Sequence, residues 1–258
     1  MNVLIVFAHP EPQSFGRALF DRSVLALRDA GHHVEVSDLY AMKFNPVASA
    51  DDFTDRRFPN QLQYDREQKL ASQQHTFVDD IQVEIDKVLA CDLLILQFPL
   101  WWFSVPAIMK GWIDRVFVDG IMYGAGNRRF ENGGLKGKRA MLAFTTGCFP
   151  EMMEPDGLLG ERDVILWHLQ YGTFGYSGLQ VLPPFIGWSI QYTDDAQRRD
   201  YLDQYADRLR NIEHEPAMPT HTLSDFDANW RLRPDIEPRT AGHRRPAAKA
   251  TNDTPDLE

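Results

Sequence analysis

Three stretches of this chain carry residues that could do chemistry, and the most conspicuous is aromatic. Trp101, Trp102 and Phe103 follow Pro99 and Leu100 directly, between an apolar run and a helical pattern, and three large rings in one loop suit a flat, conjugated ligand. The same rings would also serve as core beneath a neighbouring subunit, because Trp and Phe fill interfaces as readily as they stack on cofactors. A second group, Thr145, Thr146, Gly147 and Cys148, closes another apolar run. Its hydroxyls and turned backbone amides could donate to a ring carbonyl or ring nitrogen, or could be simple strand-end turn chemistry. The third is HPEPQ at 9–13 followed by Ser14. Ser14 is a good N-cap, and the free N–H groups of the helix behind it form an anion site by geometry alone. His9 stands beside that site as a donor, or as a satisfied loop histidine.

The elements that must position these groups are legible from periodicity. Residues 3–8 (VLIVFA), 92–97 and 139–144 are short, nearly continuous apolar runs, the pattern of strands buried on both faces. Val34 and Val36 mark a further short strand and residues 178–182 a fifth. Helical spacing is expected over 14–30, with Phe15, Ala18, Leu19, Leu25 and Ala26 buried and Gly31 as its left-handed stop. Further helices are expected over 66–90, with a stripe of Ile81, Ile85, Val88 and Leu89, and from Val105 through Ile108, Met109, Trp112, Ile113 and Val116. Two more are expected over 160–176 and 193–212. Residues 39–65 have no clean period and read as a long ordered loop. Five strands alternating with five helices predict an α/β fold, a doubly wound five-stranded parallel sheet of flavodoxin-like order 2-1-3-4-5. In such a sheet ligands sit beyond the carboxyl ends of the strands, where all three groups lie. The opening βαβ unit lacks GxGxxG, so the usual dinucleotide fingerprint is absent.

Composition bounds the function. The chain has 258 residues and a formal net charge of −10, which disfavours general affinity for nucleic acid or anionic membranes. Cys91 and Cys148 are the two cysteines and form no CxxC pair, so neither a disulfide framework nor a structural metal site is expected. The N-terminus enters a strand at once, and no apolar run reaches about 18 residues, so neither export nor a membrane span is expected. The setting predicted is cytoplasmic. Residues 1–213 are read as one α/β domain and 214–258, rich in proline, as an extended arm to about 235 with a flexible tail beyond.

The strings AHPEPQSF, SDLYAMKFNP, LQYD, LQFPLWWFSVPAIMKGWIDRVF, TTG and VILWHLQ, in that order over about residues 2–213, carry a resemblance to the NAD(P)H:quinone oxidoreductases of the DT-diaphorase type. The resemblance implies a homodimeric flavoprotein with active sites at the subunit interface, using FAD rather than FMN. It would move a hydride from NADH or NADPH to the flavin and then to a quinone. It implies that His9, Ser14, Phe15 and Gln63 hold the pyrophosphate and adenosine half, with Gly16 where relatives carry a polar side chain. Pro99, Leu100, Trp101, Trp102 and Phe103 would line the isoalloxazine, Thr145, Thr146 and Gly147 would bond its edge beside Cys148, and Arg198 would reach the adenine end. Tyr123, followed by Gly124 and Ala125, would arrive from the partner as a lid over the substrate. The chain departs from the pattern at Met153 and Leu159, where the family carries a Tyr and a His, and neither residue here can relay a proton. Two alternatives remain open: a flavin-binding regulatory subunit of a transporter or other partner, and a reductase of azo or nitro compounds.

Overall fold

The structure, a computed structural model, describes residues 1–245. Its centre is a sheet of six parallel strand segments: β1 (Asn2–Phe7), β2 (His33–Asp38), β3 (Leu93–Pro99), β4 (Arg139–Thr145), β5 (Gln180–Val181) and β6 (Phe185–Gly187). The order is β2-β1-β3-β4-β5, with β6 also on β4. β5 pairs the start of β4 and β6 its end, Ala143 to Thr145 opposite Phe185 to Gly187. The fifth strand is therefore a single track broken by Pro183 and Pro184, which have no N–H for the ladder. The order agrees with expectation, and the second half of this strand was not legible as strand.

Alternate residues of the apolar runs feed two cores. Leu4, Val6, Leu94 and Leu96 pack with α3 (Asp79–Ala90) and α4 (Ala107–Val116), while Val3, Ile5, Phe7, Leu93 and Ile95 pack with α1 (Phe15–Asp29) and α7 (Asp195–Arg210). α1 starts at its expected cap, the Ser14 side chain accepting from Arg17 N, and stops before Gly31 at φ 84°. Its buried stripe is Leu19, Phe20, Ala26 and Leu27; Ala18 and Leu25 are exposed, contrary to expectation, because the stripe lies one position further round. Leu89 is likewise more exposed than the rest of its stripe.

The single helix expected over 66–90 is two, α2 (Tyr64–Gln74) and α3. His75 takes a left-handed φ of 57° and Phe77 pairs with Phe53, so the chain turns out to fasten the long loop. That loop is held from α4 as well. Arg115 donates to Asp52 Oδ1 at 2.9 Å, to Asn45 O at 2.7 Å and to Asp80 Oδ2 at 3.2 Å, while a Cβ on Gly111 would stand 2.1 Å from Pro46 O. The stretch expected as a helix over 160–176 is α5 (Arg162–Ile165), α6 (Trp167–Leu169) and a π-helical run Gln170–Gly175.

The arm folds back onto the domain. Met218 N donates to Val181 O at 2.7 Å, and Leu223 N donates to the Glu131 carboxylate. His221 and Asp225 are buried and bonded to each other at 3.0 Å. Beyond 235 the described chain makes a further contact with the domain at His243, which lies 5.0 Å from both the Trp167 and the Tyr171 ring centroids. The rest of the tail assigned as flexible lies outside the described residues.

Candidate active site

At the carboxyl ends of β1, β3 and β4 lies a crevice of about 660 Å³. This is the point where the chain leaves β1 in one direction for β2 and β3 lies on the other side, so the flanking loops diverge and leave a slot. It is lined by His9, Gln13, Ser14, Phe15, Gly16 and Ala18 from the first loop and α1, Pro99, Leu100 and Trp101 from the second, and Thr145, Thr146 and Gly147 from the third. Ile190, Gln191 and Arg198 close it from the fifth.

At one end α1 points its N-terminus into the crevice. Ser14 uses its side chain on Arg17 N, which leaves the amides of Phe15 and Gly16 without partners among the described residues. His9 Nδ1 accepts from Glu11 N at 3.0 Å, so the proton of the neutral ring sits on Nε2. Burial holds this imidazole below its usual pKa, which keeps it neutral near pH 7. A Cβ on Gly16 would stand 3.1 Å from His9 Cδ2, so the glycine keeps the cradle open for an anion. Arg198 adds a cation, its Nε 3.3 Å from Thr193 Oγ1.

At the other end Trp101 and Ser104 exchange backbone bonds, each 3.0 Å, around a two-residue turn. Trp102 and Phe103 occupy it at φ 49° and 61°. Both are left-handed, and for side-chain-bearing residues that costs roughly 1–2 kcal/mol each. Trp102 is 95% exposed and Phe103 44%. Across the slot Leu100 N donates to Thr145 O and Thr146 N to Gly187 O. The Thr146 hydroxyl accepts from Cys148 N at 3.2 Å, leaving its own proton to donate. The amides of Trp102, Phe103 and Gly147 have no partner among the described residues. An anion cradle at one end, with exposed rings and unpaired amides at the other, fits a phosphate-bearing planar cofactor.

Several assigned residues lie elsewhere. Trp102, Phe103 and Cys148 stand next to lining residues without lining the crevice themselves. Gln63 precedes α2, and Tyr123 borders a second cleft of about 570 Å³ with Tyr64, Asp65, Gln68 and Tyr176. Burial and the Asp119 carboxylate push the Tyr123 phenol up, so it keeps its proton. Gly124 N donates to Arg128 O, and Ala125 is exposed. Met153 is buried and borders a small cavity with Pro150 and Trp188, and Leu159 is half-buried. Neither of the two lines the crevice. Sequence reasoning missed Gln13, Ala18, Ile190 and Gln191; the last donates to Gly147 O at 3.2 Å. Ending the fifth strand at 182 hid the loop after β6 that carries Ile190 and Gln191.

Comparison with known proteins gives the same frame. A family model described as flavodoxin-like fold matches residues 1–211. The chain is 40% identical over 241 residues to NAD(P)H dehydrogenase (quinone) 1 of Cavia porcellus, covering 92% of this chain and 87% of that one. It is 42% identical over 212 residues to ribosyldihydronicotinamide dehydrogenase (quinone) of Mus musculus, covering 82% and 91%. A solved structure from Klebsiella pneumoniae assigned as a quinone reductase superposes with a TM-score of 0.89 at 39% identity, over 94% of this chain and 98% of that one. With matches of this extent, the chain belongs to the flavodoxin-like fold family and, within it, to the quinone-dependent NAD(P)H and ribosyldihydronicotinamide dehydrogenases.

Proposed function

We propose that this protein is a cytoplasmic, homodimeric FAD enzyme that passes a hydride from NADH or NADPH to a quinone, reducing it by two electrons. Quinone reduction as an enzyme activity, and with it a flavin and NAD(P)H, follow from the family. FAD in place of FMN is the finer reading, supported by a crevice that continues past the α1 N-terminus to Gln13 and Arg198. The observation that carries the proposal is the convergence of the α1 cradle, the aromatic turn and the Thr145–Gly147 amides on one slot. Homodimerisation is supported by Gln63 and Tyr123, which border no part of their own crevice: Tyr123 lines the second cleft, and Gln63 directly precedes Tyr64, another of its lining residues. In the dimer they would close the crevice of the other subunit.

The flavin supplies the hydride relay when bound. His9 Nε2–H and the Phe15 and Gly16 amides would hold its phosphates, with Arg198 at the far end. The Trp101–Phe103 rings and the Trp102, Phe103 and Gly147 amides would orient its ring and exclude water from one side, and orientation of this kind is the main protein contribution to such chemistry. Tyr123 keeps its proton and can act as a hydroxyl donor over the acceptor. Among the described residues no long apolar helix is present that could cross a membrane.

The test is to purify the protein, release the bound flavin by heat and identify it, and follow NAD(P)H oxidation with a benzoquinone. FAD with rapid turnover is the expected result. Bound flavin with almost no turnover alone would favour a regulatory subunit, and a protein that takes up no flavin would overturn the assignment of the crevice.

A further inference from the structure

Among the described residues, the aromatic turn is hydrogen-bonded to the rest of the protein at one point. Its two backbone bonds, Trp101 to Ser104 and back, close it from within. Among the described residues, one side-chain hydrogen bond joins residues 101–104 to another element: Ser104 Oγ to His168 Nε2 at 2.8 Å. The direction of this bond is fixed. His168 Nδ1 faces Ile165 O at 3.1 Å, and a carbonyl only accepts, so Nδ1 carries the proton and Nε2 must accept from the Ser104 hydroxyl. Burial, with Lys110 nearby, keeps this imidazole in its neutral, accepting form. The bond lies at the surface, with the imidazole only partly shielded, and ties no core together, yet it lands on the residue that follows Phe103.

Consecutive left-handed, side-chain-bearing residues persist only where their surroundings over-determine them. We propose that His168 is a positioning residue for the cofactor: through Ser104 it locks Trp102 and Phe103 in the conformation that receives the planar ring, so that binding does not have to order the turn. Ordering a loose turn on binding lowers affinity without touching the contacts themselves. The proposal rests on reading the crevice as the flavin site.

The experiment compares wild type with Ser104→Ala, His168→Phe, the double variant, and His168→Gln, whose amide oxygen can still accept from Ser104. Each is titrated with FAD, melted as apoprotein, and scanned for the visible circular dichroism of bound flavin. The expected result is FAD affinity weakened about tenfold in each single variant, on the scale of one lost hydrogen bond that had fixed a loop. The double variant should be no weaker than the singles, His168→Gln should stay within about twofold of wild type, and the dichroism should change while the apoprotein melting point does not. Wild-type affinity in Ser104→Ala and His168→Phe, or a double variant as weak as the product of the two singles, would overturn the anchor while leaving the flavin site standing. A wild-type protein that binds no flavin would overturn the site and the anchor together. Should His168→Phe fail to fold, Ser104→Ala against His168→Gln decides the matter, since the first breaks the bond and the second preserves it.

Discussion

Trp102 shows what is being traded at the scale of single residues. It holds a left-handed backbone while 95% of its surface faces solvent, so it contributes strain to the subunit and little burial. Trp102→Gly should relieve that strain, since glycine adopts this conformation without a Cβ penalty. The apoprotein is therefore expected to melt no lower than wild type, while flavin affinity falls at least tenfold; a melting curve and an FAD titration check both halves, and a large drop in melting point would show that the indole is buried elsewhere. Met153 and Leu159 make a second point. Neither titrates, and the imidazole that lines the crevice, His9, is held below its usual pKa by burial. Quinone turnover is accordingly expected to be flat with pH from about 7 upward until the nucleotide or Tyr123 intervenes, because His9, lowered below its usual pKa, is predominantly neutral over that range. A steady-state pH profile with an inflection between about 7 and 8 would reveal a proton donor that the crevice lining does not contain.

Among the elements, the long loop over 39–63 matters more than its irregular sequence suggests. It is pinned by Arg115, whose guanidinium is 3% exposed and bonded to Asp52, Asp80 and Asn45 O, with Tyr64 bonded to the far oxygen of Asp52 at 2.6 Å. Arg115→Ala would leave the Asp52 carboxylate buried without its cation, a loss on the order of 3–5 kcal/mol, read as a lower urea midpoint. A change below about 1 kcal/mol would mean that water replaces the guanidinium. This network was invisible in the sequence, because Asp52 and Arg115 are far apart in the chain and no local pattern pairs them. The split between α2 and α3 was hidden for a related reason: the left-handed break falls on His75, an ordinary polar residue, and not on glycine or proline. What could be read were the strands and caps set by short-range rules. The β1, β3 and β4 runs, Ser14 as N-cap and Gly31 as stop each depend on a few neighbouring residues. The candidate site was legible where it hangs from those strands and lost where it hangs from β6, whose proline break disguises the strand and hence the Ile190–Gln191 loop.

For the molecule as a whole, three imidazoles in separate regions share one thermodynamic consequence. His9 beside the crevice, His168 under the aromatic turn and His243 against Trp167 and Tyr171 are all lowered from the ordinary value of 6.5, chiefly by burial. Well above pH 6.5 these rings are neutral in both the folded and the unfolded chain and do not affect the balance. As the pH falls through that value, the unfolded chain takes up protons that the folded chain still refuses, so stability declines until each folded-state pKa is reached. The three lie in the first loop, the α5–α6 segment and the returning arm, so the penalty reaches the domain and its arm together. Melting temperatures at constant ionic strength are expected to fall steadily from pH 7 to pH 5. A variant with His9, His168 and His243 all replaced by Gln should show a flatter curve over that interval. An unchanged slope in that variant would assign the acid sensitivity to other groups, whereas loss of the slope on replacing His243 alone would place it in the contact between arm and domain.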